Sequence, residues 1–158
     1  MTAIRYLKGD ATCPQARGNK IICHICNDIG GWGQGFVLAV SHRWKAPEAE
    51  YRAWHAEGKH GGFELGAVQF VAVERTIWVA NMIAQRGIKR GSSGPPIRYE
   101  ALARCLPQVA AKAKELDASV HMPRIGCGLA GGDWSKVEPL IDEHLIAAGV
   151  AVIVYDFE

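Results

Sequence analysis

The chain has 158 residues, is 49% apolar and carries a formal charge of only +2. That length suits one domain with a single sizeable core. The near-balanced charge gives no bulk signal for nucleic acid, and the apolar content argues against disorder. No apolar run reaches the roughly 18 residues of a membrane span. The first eight residues lack a signal-peptide apolar region, and five cysteines in no regular framework fit a reducing compartment. The expectation is one cytoplasmic domain over residues 1–158, a monomer with no membrane partner.

In chain order, Ile4–Lys8 reads as an edge strand ended by Gly9-Asp10-Ala11-Thr12. Lys20–Asn27 is almost continuously apolar, as expected of a strand buried on both faces. A glycine-rich turn, Asp28-Ile29-Gly30-Gly31-Trp32-Gly33-Gln34-Gly35, follows directly. Phe36–Trp44 continues with helical spacing, and Pro47 opens a further helix to about Glu57. Gly58–Gly62 reads as a loop. Ala67–Val73 and Thr76–Ile83 form a hairpin around Glu74-Arg75. Gln85–Pro96 is a polar loop. Tyr99–Leu116 is a helix in which Pro107 is expected to produce a kink. Ser119–Met122 is a strand, Trp134–Ala148 a helix and Val150–Tyr155 a final buried strand. Strands alternating with helices, plus one hairpin, predict an α/β fold: a three-layer α/β/α domain around a mixed, mainly parallel six-stranded sheet.

Two glycine-rich turns stand where strands give way to helices, the first at Gly31–Gly35 and the second at Ile125-Gly126-Cys127-Gly128-Leu129. Helix N-termini carry N–H groups without intrahelical partners and a partial positive charge, so such turns attract phosphate. In open α/β sheets ligands sit beyond the carboxyl ends of strands, which is where both turns begin. A ligand with more than one phosphate is expected. Gly126-x-Gly128-x-x-Gly131 matches a dinucleotide fingerprint, but no second nucleotide-binding half follows. No Gly-Lys-Ser/Thr is present, and no cofactor is expected.

His24, Asn27 and Asp28 end the second strand beside the first turn. Histidine can protonate a leaving group or attack phosphorus, and Asn27 can orient a sugar hydroxyl. Packing within the core is the alternative for His24. Cys23 and Cys26 resemble a Cys-x-x-Cys pair, but three positions along a strand put them on opposite faces, so no metal site is expected. Trp32 can cover a bound sugar or pin its loop, and Tyr155 and Phe157 can stack on a base or pack.

Taken together, Gly9-Asp10-Ala11-Thr12, Asn27 with its glycine-rich turn, and Pro123-Arg124-Ile125-Gly126-Cys127-Gly128-Leu129 resemble a macrodomain over essentially the whole chain. His24-Ile25-Cys26-Asn27 with Gly31–Gly35 resembles the fungal ADP-ribose 1″-phosphate phosphatases. Met122–Leu129 resembles the terminal ADP-ribose protein glycohydrolase branch. The resemblance implies ADP-ribose binding. Asp10 would accept from the adenine amino group beside Ala11, and Phe157 would lie against the adenine. Gly126–Leu129 would hold the pyrophosphate, and Gly31, Trp32, Gly33, Gln34 and Gly35 would wrap the phosphates and distal ribose beside Asn27. The glycohydrolase branch has a lysine and an aspartate where this chain has Ala84 and Ala130. Asp133, three residues on, is expected to cap the next helix or face the ribose.

The resemblance implies removal of a group, phosphate first, from the 1″ position of ADP-ribose, with His24, Asn27 and Asp28 as the catalytic candidates. Alternatives are hydrolysis of ADP-ribose adducts of protein or nucleic acid, and a reader that binds without chemistry. Nucleic acid enters only as an ADP-ribosylated substrate.

Overall fold

A computed structural model of the chain describes residues 3–88, 94–128 and 130–157. The strands are β1 (Arg5–Lys8), β2 (Asn19–Asn27), β3 (Val68–Glu74), β4 (Ile77–Gln85), β5 (Ala118–Met122) and β6 (Val152–Asp156). They form one sheet in the order β1-β6-β5-β2-β4-β3. Only β3 runs antiparallel to its neighbour; every other pair is parallel. The helices are α1 (Phe36–Arg43), α2 (Ala46–Glu57), α3 (Tyr99–Leu116) and α4 (Trp134–Ile141). The expected mixed, mainly parallel α/β arrangement is present.

The sheet separates two apolar layers. Ile21, Cys23, Ala80 and Met82 pack with α3 and α4, whereas Ile22, Cys26, Val79 and Ile83 pack with Val40 of α1 and Tyr51 of α2. Successive strand residues point to opposite faces, so neighbours along β2 and β4 serve different layers. Cys23 and Cys26 accordingly lie in different layers, both as free thiols.

The elements differ from expectation at several boundaries and turns. The hairpin turn is Arg75-Thr76, one residue later, because a register irregularity between Ala72 and Glu74 takes up a residue. Gly58–Gly61 forms a 3-10 turn rather than an open loop. Helix α3 carries Pro107 in its interior and spans Tyr99–Leu116 with its apolar face buried. The last helix leaves the α pattern after Ile141 and continues as a π turn, in which Ala147 donates to the carbonyl of Asp142 five residues back.

Candidate functional site

Both glycine-rich turns emerge at the carboxyl edge of the sheet and border one cleft. Its inner part is a cavity of about 260 Å³ whose walls include His24, Gln34, Gly35, Gln85, Gly126 and Gly128. Its outer part, about 310 Å³, is bounded by Asp10, Ala11, Ala39, Tyr155 and Phe157. Gly35, Phe36 and Pro123 line both parts, so they form one continuous trough.

Each wall has a sequence reason for its shape. Gly35 has φ +83° and precedes α1, so the first turn of that helix opens onto the cleft. Gly126 has φ +75°, and a Cβ there would collide with Ile97 Cδ1. Gly128 has open space at the Cβ position. Gly132 N donates to the Gly126 carbonyl at 2.6 Å and closes the second loop on itself. Arg124 binds Asp156 bidentately, with Nε–Oδ1 at 2.6 Å and Nη2–Oδ2 at 3.1 Å, and its guanidinium lies over Tyr6 and Trp134. That contact ties the outer wall of the loop to the end of β6.

His24 is 2% exposed and lines the inner cavity. Its Nε2 stands 2.6 Å from Asn81 Oδ1, while its Nδ1 is buried without a hydrogen-bond partner among the described residues. Burial holds its pKa down at about 4 against a partial upward pull from Asn81, so the ring is neutral near pH 7. The edges of Trp32 and the tilted ring of Phe36 pack on it at 5.3 and 5.9 Å.

The structure places the other sequence candidates as follows. Asn27 organises the first loop: Nδ2 donates to the Gly31 carbonyl, and Oδ1 accepts from the backbone of Ile29 and Gly31. Asp28 Oδ1 accepts from Gly87 N, and the residue borders a different cavity with His55, Lys59 and Arg86. Trp32 is buried and donates from Nε1 to Ser41 Oγ, so it pins the loop. Gly31, Gly33 and Cys127 belong to the loops without lining either part of the cleft. Ile125 is buried beneath the inner cavity. Asp133 caps α4, accepting from Ser135 N at 3.0 Å and Ser135 Oγ at 2.8 Å. Leu129 lies outside the described residues. Asp10 Oδ1 accepts from the Thr12 amide and hydroxyl, and Phe157 is 80% exposed on the outer rim. Sequence reasoning missed Phe36, which joins the two parts, and Asn81, whose signal was a polar residue inside the apolar run Ile77–Ala84.

A family model described as "Macro domain" matches residues 23–141. The chain belongs to the macrodomain family. A macrodomain structure from Streptomyces coelicolor is 58% identical, covers 98% of this chain and 99% of its own, and superposes with a TM-score of 0.88. The chromodomain-helicase-DNA-binding protein 1-like of Danio rerio is 37% identical over 98% of this chain, which spans 16% of that protein's length. The ADP-ribose 1″-phosphate phosphatase of Meyerozyma guilliermondii is 22% identical over 97% of this chain and 100% of its own length. Macrodomains are an ADP-ribose-binding family. Ala84 and Ala130, which the sequence resemblance sets against the glycohydrolase branch's lysine and aspartate, are both buried, at 0% and 6% exposure.

Proposed function

We propose that this macrodomain binds ADP-ribose along the trough and releases phosphate from ADP-ribose 1″-phosphate. The adenine would lie at Asp10 and Phe157, the diphosphate between the α1 N-terminus and the Gly126–Gly128 backbone, and the distal ribose toward His24 and Gln85. The observation that carries the chemistry is the neutral imidazole on the inner cavity wall with an unpartnered Nδ1. A neutral histidine is suited to accept a proton rather than to donate one.

In the proposed step substrate binding opens the buried Nδ1 of His24 to the cavity, where it accepts a proton from water as the water oxygen bonds to phosphorus. The bond from phosphorus to O1″ breaks, His24 passes the accepted proton on to O1″ and returns to its neutral form, and the other water proton remains on the released phosphate. The internal diphosphate and the 1″-phosphate would be stabilised by backbone donors fixed in advance by the glycine loops. The likeness to a named ADP-ribose 1″-phosphate phosphatase supports the same reading.

A second reading is binding without turnover. It is favoured by the absence of any Asp or Glu among the described residues lining the inner cavity, and by the buried Ala84 and Ala130. One panel separates the two: phosphate release from ADP-ribose 1″-phosphate, ADP-ribose release from protein and nucleic-acid adducts, and calorimetry with ADP-ribose. The expected result is phosphate release that His24→Ala lowers at least about tenfold while ADP-ribose still binds. Binding with no turnover of any conjugate would replace the enzyme with a reader, and release from adducts alone would move the chemistry to those bonds.

A further inference from the structure

His24, Asn81 and Gln69 form a row across three adjacent strands. His24 of β2 is the register partner of Asn81 in β4, and Asn81 is the register partner of Gln69 in β3. Directly paired residues project to the same face, so the three side chains meet beneath α2. Asn81 is fully buried between the other two, at 0% exposure.

The orientation of the row is set at its far end by two main-chain carbonyls of α2, which can only accept. Gln69 Nε2 donates to the Glu50 carbonyl at 3.0 Å, which turns Gln69 Oε1 toward Asn81. Asn81 Nδ2 donates to that Oε1 at 3.0 Å and to the Pro47 carbonyl at 3.2 Å. Asn81 Oδ1 therefore faces His24. At 2.6 Å, an unprotonated Nε2 would set two lone pairs against each other, so Nε2 carries the proton and donates. Reversing either amide would oppose carbonyl to carbonyl in a buried setting, a loss of about 1–3 kcal/mol for each donor or acceptor left unmade. Cys26 Sγ, 3.7 Å from the same nitrogen, is a weak donor and does not compete at that distance.

We infer that Asn81, oriented by Gln69 and the α2 carbonyls, is a positioning residue that holds His24 in its Nε2–H tautomer and leaves the buried Nδ1 as a lone-pair acceptor. Helix α2 thereby acts on the cleft without touching it. The inference deepens the proton-acceptor role proposed above and rests on that reading for its functional meaning, while the tautomer itself is independent of turnover. It also narrows the chemistry. A ring whose single proton is committed to Asn81 has none to give a leaving group, so an acid role for His24 in the neutral state is removed.

The test is a long-range proton–nitrogen correlation spectrum of histidine-¹⁵N-labelled protein, with His24→Gln used to assign the signal. The wild type is expected to show a protonated Nε2 and an unprotonated Nδ1. Asn81→Asp, which keeps an oxygen opposite Nε2, retains the Nε2–H form. Asn81→Leu, which removes it, moves the ring to a tautomer mixture and lowers kcat for phosphate release about tenfold with KM within about twofold. A wild-type Nδ1–H signal, or a folded Asn81→Leu protein still wholly Nε2–H, would overturn the inference. If Asn81→Leu does not fold, the wild-type and Asn81→Asp spectra decide alone. A protein with the expected tautomer but no phosphatase activity supports the inference and removes only the phosphatase reading.

Discussion

The hydroxyl of Tyr51, fully buried in α2, stands 2.7 Å from the main-chain oxygen of Asn27 and 2.8 Å from its side-chain oxygen. Asn27 is thus held from below by a helix and in turn holds the first glycine-rich loop through Ile29 and Gly31. Its amide is spent on shaping the loop. Tyr51→Phe removes the donor while Asn27 Oδ1 keeps two backbone donors, so the expected loss is about 1 kcal/mol. Asn27→Ala removes the whole brace and is expected to weaken ADP-ribose binding about tenfold or more. Urea denaturation and calorimetry check the pair; equal, negligible effects on affinity would show that the loop holds its shape without Asn27.

The two glycines of the second loop predict opposite outcomes. Gly126→Ala places a Cβ against Ile97 Cδ1 at positive φ, a backbone strain of about 1–2 kcal/mol before any repacking. Gly128→Ala enters open space and is expected to leave stability within about 0.5 kcal/mol. Gly128→Glu is expected to unfold nothing yet abolish ADP-ribose binding, because its charge would occupy the diphosphate wall. A thermal melt and a calorimetric titration of each variant decide; retained affinity in Gly128→Glu would remove the loop from the binding site.

Acid sensitivity follows from two buried histidines. His24 and His121 are each held at about 4, both chiefly by burial, against an unfolded value near 6.5. A depressed pKa means the unfolded chain binds more protons between those values. The contribution is therefore complete above about pH 6.5 and is lost as pH falls toward 4. Each ring accounts for roughly 1.4 kcal/mol per pH unit inside that window. Urea midpoints should drop clearly between pH 7 and pH 5, before the paired carboxylate Asp156 begins to titrate. A flat profile over that interval would contradict the burial of both rings.

Phe157 is exposed on the rim of the outer cavity, beside Asp10 and Ala11. Phe157→Ala is expected to change stability by less than about 0.5 kcal/mol. Loss of a stacked base costs about 1–3 kcal/mol, so affinity should fall for ADP-ribose and AMP alike and remain unchanged for ribose 5-phosphate. An equal loss for all three ligands would place the adenine elsewhere.

Local chemistry determined much of this protein. The two-faced apolar run of β2, the period of α3, the helix cap at Asp133 and the glycines at both turns are legible because each depends on residues a few positions apart. The opposite placement of Cys23 and Cys26 follows from the same strand period. Which side chains share a wall was decided only when β2 came to lie between β5 and β4. That order sets Asn81 against His24, 57 residues earlier in the chain, and inserts Phe36 between the two parts of the trough. It also turns Asp28 toward Gly87, although Asp28 adjoins Asn27 in sequence. Periodicity and turn chemistry are properties of short segments; the partner that completes a polar group's hydrogen bonds is a property of strand order, which no short segment carries.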